Sequence, residues 1–237
     1  MKCCLRNALA LMACVIAVLG FQSMVCAGMI AITNAGFEDP ALADNGVVAS
    51  VNNWILSGDS SAAVWTWNPK AIHYAQGGDG TLTGGDGQNV AEIFVGTDAA
   101  PGYLYQELAT TLEAGKAYTL TVAYGASTCN TLQGGPVLLG IGTSAMPIGS
   151  YLAETAVDGS GNAMNQLVDA TVTFTATADN GHLGESLRIY VANAGSNICL
   201  DFDNLRLSSA AVPEPGALAV LATGVIGLLC YAWRKHR

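Results

Sequence analysis

Lys116-Ala-Tyr-Thr-Leu-Thr-Val-Ala-Tyr124 alternates its side chains along its whole length. Tyr118, Leu120 and Val122 fall on one face, and Thr119, Thr121 and Ala123 on the other. A period of two with one apolar face predicts a half-buried strand. Leu167 to Thr177 repeats the pattern with Val168, Ala170, Val172 and Phe174. Glu185 to Val191 sets Leu187, Ile189 and Val191 against Arg188 and Tyr190. Asn197 to Leu207 reads as a last strand, with Ile198, Leu200, Phe202, Leu205 and Leu207 as its apolar set. Shorter candidates are Ile30–Thr33, Ala62–Trp67, Val90–Val95, Tyr103–Leu108, Val137–Ile141 and Gly149–Ala153. Gly, Asn and Asp clusters separate these runs, and no useful helical stretch interrupts them. About ten short strands with Gly-rich turns predict an all-β domain folded as a β-sandwich.

Outside that block the pattern changes. Lys2 and Arg6 precede an apolar run from Ala8 to Phe21, and Val25-Cys26-Ala27 ends it with small residues. A positive start, a short apolar run and an A-x-A-like end predict a secretory signal over residues 1–27, removed by signal peptidase after Ala27. The run is too short for a permanent membrane span. Export fits the charge of the block that follows. Between Gly28 and Ala211, seventeen acids face only Lys70, Lys116, Arg188 and Arg206, a formal charge of −13. That balance argues against a nucleic-acid partner, which needs Lys and Arg against phosphate. It suits an extracytoplasmic domain able to collect divalent cations. Removal of the signal also leaves Cys129 and Cys199 as the domain's cysteines. In an oxidising compartment they could form one disulfide or remain two buried thiols, and spacing does not choose between these.

At the other end, Val212-Pro213-Glu214-Pro215 breaks regular structure, because each proline fixes its own φ and pushes its predecessor toward an extended shape. Residues 210–215 therefore read as a linker. Gly216 to Trp233 then runs without a charge, about 27 Å as a helix, enough for a bilayer core. Arg234-Lys235-His236-Arg237 (residues 234–237) would stay in the cytoplasm by the positive-inside rule, which puts residues 28–209 outside. Pro213-Glu214-Pro215, a membrane-length helix and a basic end together resemble the PEP-CTERM sorting signal. The resemblance implies handling by an exosortase-type membrane enzyme, transient anchoring through the helix, and a final place at the cell surface or in an exopolysaccharide matrix.

The domain carries a resemblance of its own. Ile32-Thr-Asn-Ala-Gly-Phe-Glu-Asp-Pro40, Asn53-Trp54, Asp86-Gly-Gln-Asn-Val-Ala91, Leu104-Tyr-Gln-Glu-Leu108, Leu112 to Leu120 and Asp201-Phe-Asp-Asn-Leu-Arg-Leu207 come in the order seen in jelly-roll domains of the carbohydrate-binding-module type. The chain is most similar to the hapalindole cyclase-like (Stig cyclase) group. The resemblance implies a jelly-roll β-sandwich whose first and last strands lie together and share a structural Ca²⁺. Its ligands would be Glu38 and Asp203, with Asn34 and backbone carbonyls nearby. Oxygen donors suit a hard cation. The same resemblance offers Asp201 as a buried general acid if the domain is a cyclase.

Other chemistry is thinner. Trp65 and Trp67 share a strand face and could stack on sugar rings, with Asn68 or Gln88 reading hydroxyls, although large aromatics more often belong to a core. Tyr103 and Tyr105 share a face in the same way. His73 and His182 stand alone, without a nucleophile signature or metal-ligand spacing. Gly77-Gly-Asp-Gly80 and Gly84-Gly-Asp-Gly87 resemble cation-binding turns but read as a flexible loop. These observations favour an exported, Ca²⁺-stabilised, non-catalytic domain that binds carbohydrate. A cyclase-like enzyme on a small apolar substrate and a ligand-free structural protein are the two alternatives.

Overall fold

The computed structural model describes residues 27–58, 62–69, 83–97, 100–126, 135–158, 166–212 and 215–235. Ala27–Ala210 forms one compact unit. Two sheets build it. The larger contains β1 (Gly28–Ile30), β2 (Val47–Val48), β4 (Ala62–Trp67), β5 (Val90–Val95), β7 (Lys116–Ala126), β10 (Val168–Thr175) and β12 (Ile198–Ala211). Its order is β10-β7-β12-β5-β4-β2, with β1 also on β12. The smaller contains β3 (Ile55–Ser57), β6 (Gly102–Thr111), β8 (Pro136–Thr143), β9 (Ala153–Asp158) and β11 (Ser186–Asn193), in the order β3-β6-β11-β8-β9. The chain passes repeatedly from one sheet to the other, so strands distant in sequence become neighbours.

Side-chain alternation decides which face is core. Tyr118, Leu120 and Val122 on β7 are fully buried, as are Leu187, Ile189 and Val191 on β11. They meet Leu200, Phe202, Leu104, Leu139 and Ile141 in one apolar cluster between the sheets. On β10, Asp169, Thr171, Thr173 and Thr175 point to water while Ala170 and Val172 are buried. The break in spacing between Phe202 and Leu205 has a physical cause. Asn204 adopts φ 49°, which adds a residue to the strand and returns Leu205 and Leu207 to the core.

Two expectations need correction. The strand expected over Ile30–Thr33 is instead β1, which ends at Ile30. Gly149–Ala153 is not a strand: Gly149 turns the chain at φ 82°, and β9 starts at Ala153. Tyr151 in that segment packs edge-on against Tyr190 at 5.0 Å. Gly140 leaves the room, since a Cβ there would lie 2.3 Å from the Tyr151 ring. This cover is why β11 is buried on both faces. Arg188 on its outer face donates to Tyr190 Oη, Met146 O, Ser144 O and Glu107. The short strands β2 and β3 are also absent from the sequence reading.

Residues 1–26 and the Pro213-Glu214 pair lie outside the described residues, as do Cys129 and Gly77–Gly80. Cys199 is disulfide-bonded. A helix, α1 (Pro215–Lys235), forms where the apolar run predicts one, with Arg234 and Lys235 in its last turn. Among the described residues no helix is long and apolar enough to cross a membrane.

Candidate functional site

Two acidic groupings stand out. The first is a knot between the loop after β1, the loop before β5, and β12. Asp203 is 1% exposed, and its Oδ2 accepts the Asp86 backbone N–H at 2.6 Å. Its Oδ1 accepts the Asn204 N–H, also at 2.6 Å. Glu38 Oε1 accepts the Gln88 and Asn89 N–H groups at 2.7 Å each. Gly84-Gly-Asp-Gly87 is therefore a clamp rather than the flexible loop expected. A Cβ at Gly85 would lie 2.6 Å from Asp203 Oδ2, and one at Gly87 would lie 2.4 Å from Glu38 Oε1. Glycine is required where a carboxylate comes this close to the backbone.

The electrostatics of the knot are one-sided. Burial pushes the Asp203 carboxyl up to about 7; the Asp86 and Asn204 N–H groups oppose this, while the nearby charges of Asp86 and Glu38 add to it. Among the described residues no basic side chain pairs with Glu38, Asp86 or Asp203. Asn34, expected beside them, has a different task. Its Nδ2 donates to Asp39 O and Asn52 O, and its Oδ1 accepts the Asp39 N–H. Its backbone carbonyl accepts from Trp54 Nε1 and from the Phe37 N–H. It braces the turn that presents Glu38.

The second grouping lies on the outer face of the larger sheet. Core positions on β5 are Ala91, Ile93 and Val95, and on β12 Ile198, Leu200 and Phe202. Glu92 and Asp201 therefore point the other way, and they are register partners across the two strands. Glu92 is also the partner of Trp65 on β4. Trp65, Glu92 and Asp201 thus form one row across three strands. Asp201 is 0% exposed and Glu92 7%. Two buried carboxyls side by side are costly unless a proton, a cation or a hydrogen-bonding partner is shared.

The expected indole pair divides. Trp65 is half-buried, whereas Trp67 is 7% exposed and packs with Val90, Ala123 and Leu167. Trp67 is thus a packing residue, which corrects its expected exposure to a ligand. Asn68 and Gln88 are likewise committed to each other at 3.3 Å. Tyr105 is buried under Arg188, at 5.3 Å from its ring centre, while Tyr103 is half-buried. Sequence reading named Asp86 and Asn89 only inside motifs, without a site role, and passed over Glu92. The signal for Glu92 was present as an acid inside the apolar run Val90-Ala-Glu-Ile-Phe-Val95. Acids are rarely buried without a specific reason.

The chain is thus a two-sheet β-sandwich in which acids tie the first loop to the last strand and a second buried acid row lies on one outer face. Residues 28–208 match the HpiC1-like family, described as HpiC1 cyclase, and the chain belongs to that family. Residues 211–237 match the PEP-CTERM protein-sorting motif, which marks the chain for export and sorting to the cell surface. Among solved structures, a cyclase from Fischerella sp. TAU superposes with a TM-score of 0.65 at 23% identity, covering 80% of this chain and 100% of that one. A cyclase from the same source, solved with 4-(1H-indol-3-yl)butan-2-one, gives 0.63 at 24% identity over 79% and 100%. A CBM4 structure gives 0.45 at 18% identity over 76% and 99%, a looser likeness. No curated protein matches the sequence.

Proposed function

We propose that the protein is exported and processed by signal peptidase and an exosortase-type enzyme, with its C-terminal helix as a transient membrane anchor. At the cell surface its sandwich holds a small apolar ring compound against Trp65 and protonates it from Asp201. The observation that carries this reading is the complete burial of Asp201 beside Glu92, on a sheet face whose Thr119, Thr121, Thr171 and Thr173 reach solvent. A neutral carboxylic acid can give a proton to a substrate carbon or leaving group. Ring closure then releases a proton, and the Asp201 carboxylate takes it back. Trp65 supplies the flat apolar wall. A fold neighbour that accommodates an indole ketone supports a ring-bearing ligand of this size.

A structural calcium ion belongs to the same reading, and the residues fit one. The donors at the knot are all oxygens, as Ca²⁺ prefers. A Cβ at Gly36 would lie 3.1 Å from Asp86 O, 3.6 Å from Asp86 Oδ2 and 3.7 Å from Asp203 Oδ1, so three oxygens face one side of this glycine. Among the described residues no group of three or more His, Cys, Asp or Glu side chains is placed to hold a metal by itself. Backbone carbonyls such as Asp86 O would have to complete the set around Glu38 and Asp203. The ion would supply the positive charge the knot lacks.

The non-catalytic reading has one specific support, the exposed part of Trp65, which could stack on a sugar of an exopolysaccharide. Saturation-transfer NMR on the purified chain separates the two. With 4-(1H-indol-3-yl)butan-2-one as the probe, transfer is expected in the wild type, strong loss in Trp65→Ala, and retention in Asp201→Asn. Transfer to an oligosaccharide panel and none to the indole would favour the sugar-binding reading instead.

A further inference from the structure

The sequence holds two Asn-Gly pairs, and both follow an aspartate: Asp44-Asn45-Gly46 and Asp179-Asn180-Gly181. Such a pair is able to modify itself, because glycine has no Cβ to keep its backbone nitrogen away from the preceding side-chain amide. The local sequence is the same at both, so only the fold separates them. Exposure alone would favour Asn45, which is exposed while Asn180 is half-buried. The hydrogen bonds reverse that order.

Asn45-Gly46 lies in a closed turn. The Gly46 N–H donates to Ala43 O at 2.7 Å, and the Asn45 N–H donates to Asn68 O at 3.0 Å. Gly46 O accepts the Asn68 N–H, also at 3.0 Å, and β2 begins at the next residue. The nucleophile for attack on the Asn45 side chain is the Gly46 nitrogen, and its N–H is committed to another carbonyl. Attack waits for the turn to open, and only that minor open population reacts.

Asn180-Gly181 lies in the turn between β10 and β11. The Asn180 N–H donates to Thr177 O at 3.1 Å, and Asn180 Oδ1 accepts the His182 N–H at 2.9 Å. The second bond closes a ring that contains the Gly181 amide, so the Asn180 Cγ is carried alongside the Gly181 nitrogen. The Gly181 N–H has no hydrogen-bond partner among the described residues. Gly181 is exposed, and a Cβ there would meet nothing within 4 Å, so the turn has room to bend. The His182 N–H also points at the oxygen on which negative charge gathers during attack on Cγ. A free nucleophile and a placed donor thus coincide at Asn180.

We propose that Asn180 is a self-modification site, deamidated with water as the sole co-reactant. The Gly181 nitrogen gives its proton to hydroxide and bonds to Asn180 Cγ. The Cγ–Nδ2 bond breaks, and Nδ2 takes a proton from water and leaves as ammonia. Water then adds to either carbonyl of the cyclic imide and opens it to aspartate or isoaspartate, with no change in oxidation state. Each event adds one negative charge at a turn whose far end stays tied, since Gly184 N donates to Leu112 O and Leu112 N to Glu185 O, both at 2.9 Å. The sandwich survives the change, and the added charge records the age of the folded chain.

Peptide mapping by mass spectrometry, on the full chain in detergent aged at mildly alkaline pH in water enriched in heavy oxygen, tests this. A second sample is aged in urea. In urea the two Asn-Gly pairs should react at similar rates. In the folded chain Asn45 should slow by at least about tenfold, while Asn180 should react at least as fast as in urea and yield both aspartate and isoaspartate carrying the label. Equal rates at the two pairs in the folded chain would show that the closed turn does not protect Asn45, and would overturn the ordering. Any slowing of Asn180 on folding would mean that the His182 bond restrains the amide instead of presenting it, and the proposal would fail.

Discussion

Asp203 shows how one buried carboxyl ties stability to pH. Its pKa rises from 3.8 in the unfolded chain to about 7 in the fold. The folded state therefore keeps a proton that the unfolded state has lost. Stability from this group is full below about pH 4 and falls as pH rises through about 7. In EGTA the loss across that window should reach at most about 4 kcal/mol, at about 1.4 kcal/mol per unit. The proposed calcium ion would compete with the proton, so melting curves with the ion should lose most of this slope. Above pH 7 calcium should raise the melting temperature by about 5–10 °C. Gly85→Ala should cost about 1–3 kcal/mol in urea denaturation, because its methyl would collide with Asp203 Oδ2, which Asp86 N–H holds in place. Glu38, Asp203 and Asp201 were named through a resemblance; the structure puts Glu38 and Asp203 in one knot and buries Asp201 on the outer sheet face. Glu92 was not, because the alternation of β5 hides an outward acid among buried neighbours until strand pairing places it beside Asp201. Asn34 was misplaced for the converse reason. Its sequence position is near Glu38, but its left-handed backbone, φ 53°, turns its amide toward Asp39 and Asn52.

At the scale of elements, legibility follows local pattern. β4 and β5 lie where the apolar runs put them, and β7, β10, β11 and β12 differ only at their ends. Those strands carry their own core face, so alternation announces them. β2 and β3 are two and three residues long and exist through pairing with β4 and β6, which local sequence does not encode. The Gly149–Ala153 error has the same root. An apolar Tyr-Leu-Ala sequence looks like a strand start, but Tyr151 is used to roof Gly140 from a turn. β7 should be the element whose core face matters most, since it lies second from the edge and buries Tyr118, Leu120 and Val122 completely. Leu120→Ala should cost about 2–5 kcal/mol by denaturant unfolding. Thr121→Ala on the opposite face, which loses only the Thr171 hydroxyl contact at 3.1 Å, should stay below about 1 kcal/mol.

For the whole molecule, the C-terminal end carries a sorting motif and the sandwich before it carries the family fold. The family match covers the sandwich, and the sorting motif covers the C-terminal 27 residues. The proposed calcium tie requires the sandwich to reach a calcium-rich exterior. Intact-mass measurement of the protein recovered from the surface of producing cells tests that most directly. The expected species starts at Gly28 and has lost the apolar tail beyond the Pro213-Glu214-Pro215 region. Recovery from the cytosol of a chain that still carries Met1 to Ala27 and the complete C-terminal helix would contradict the account.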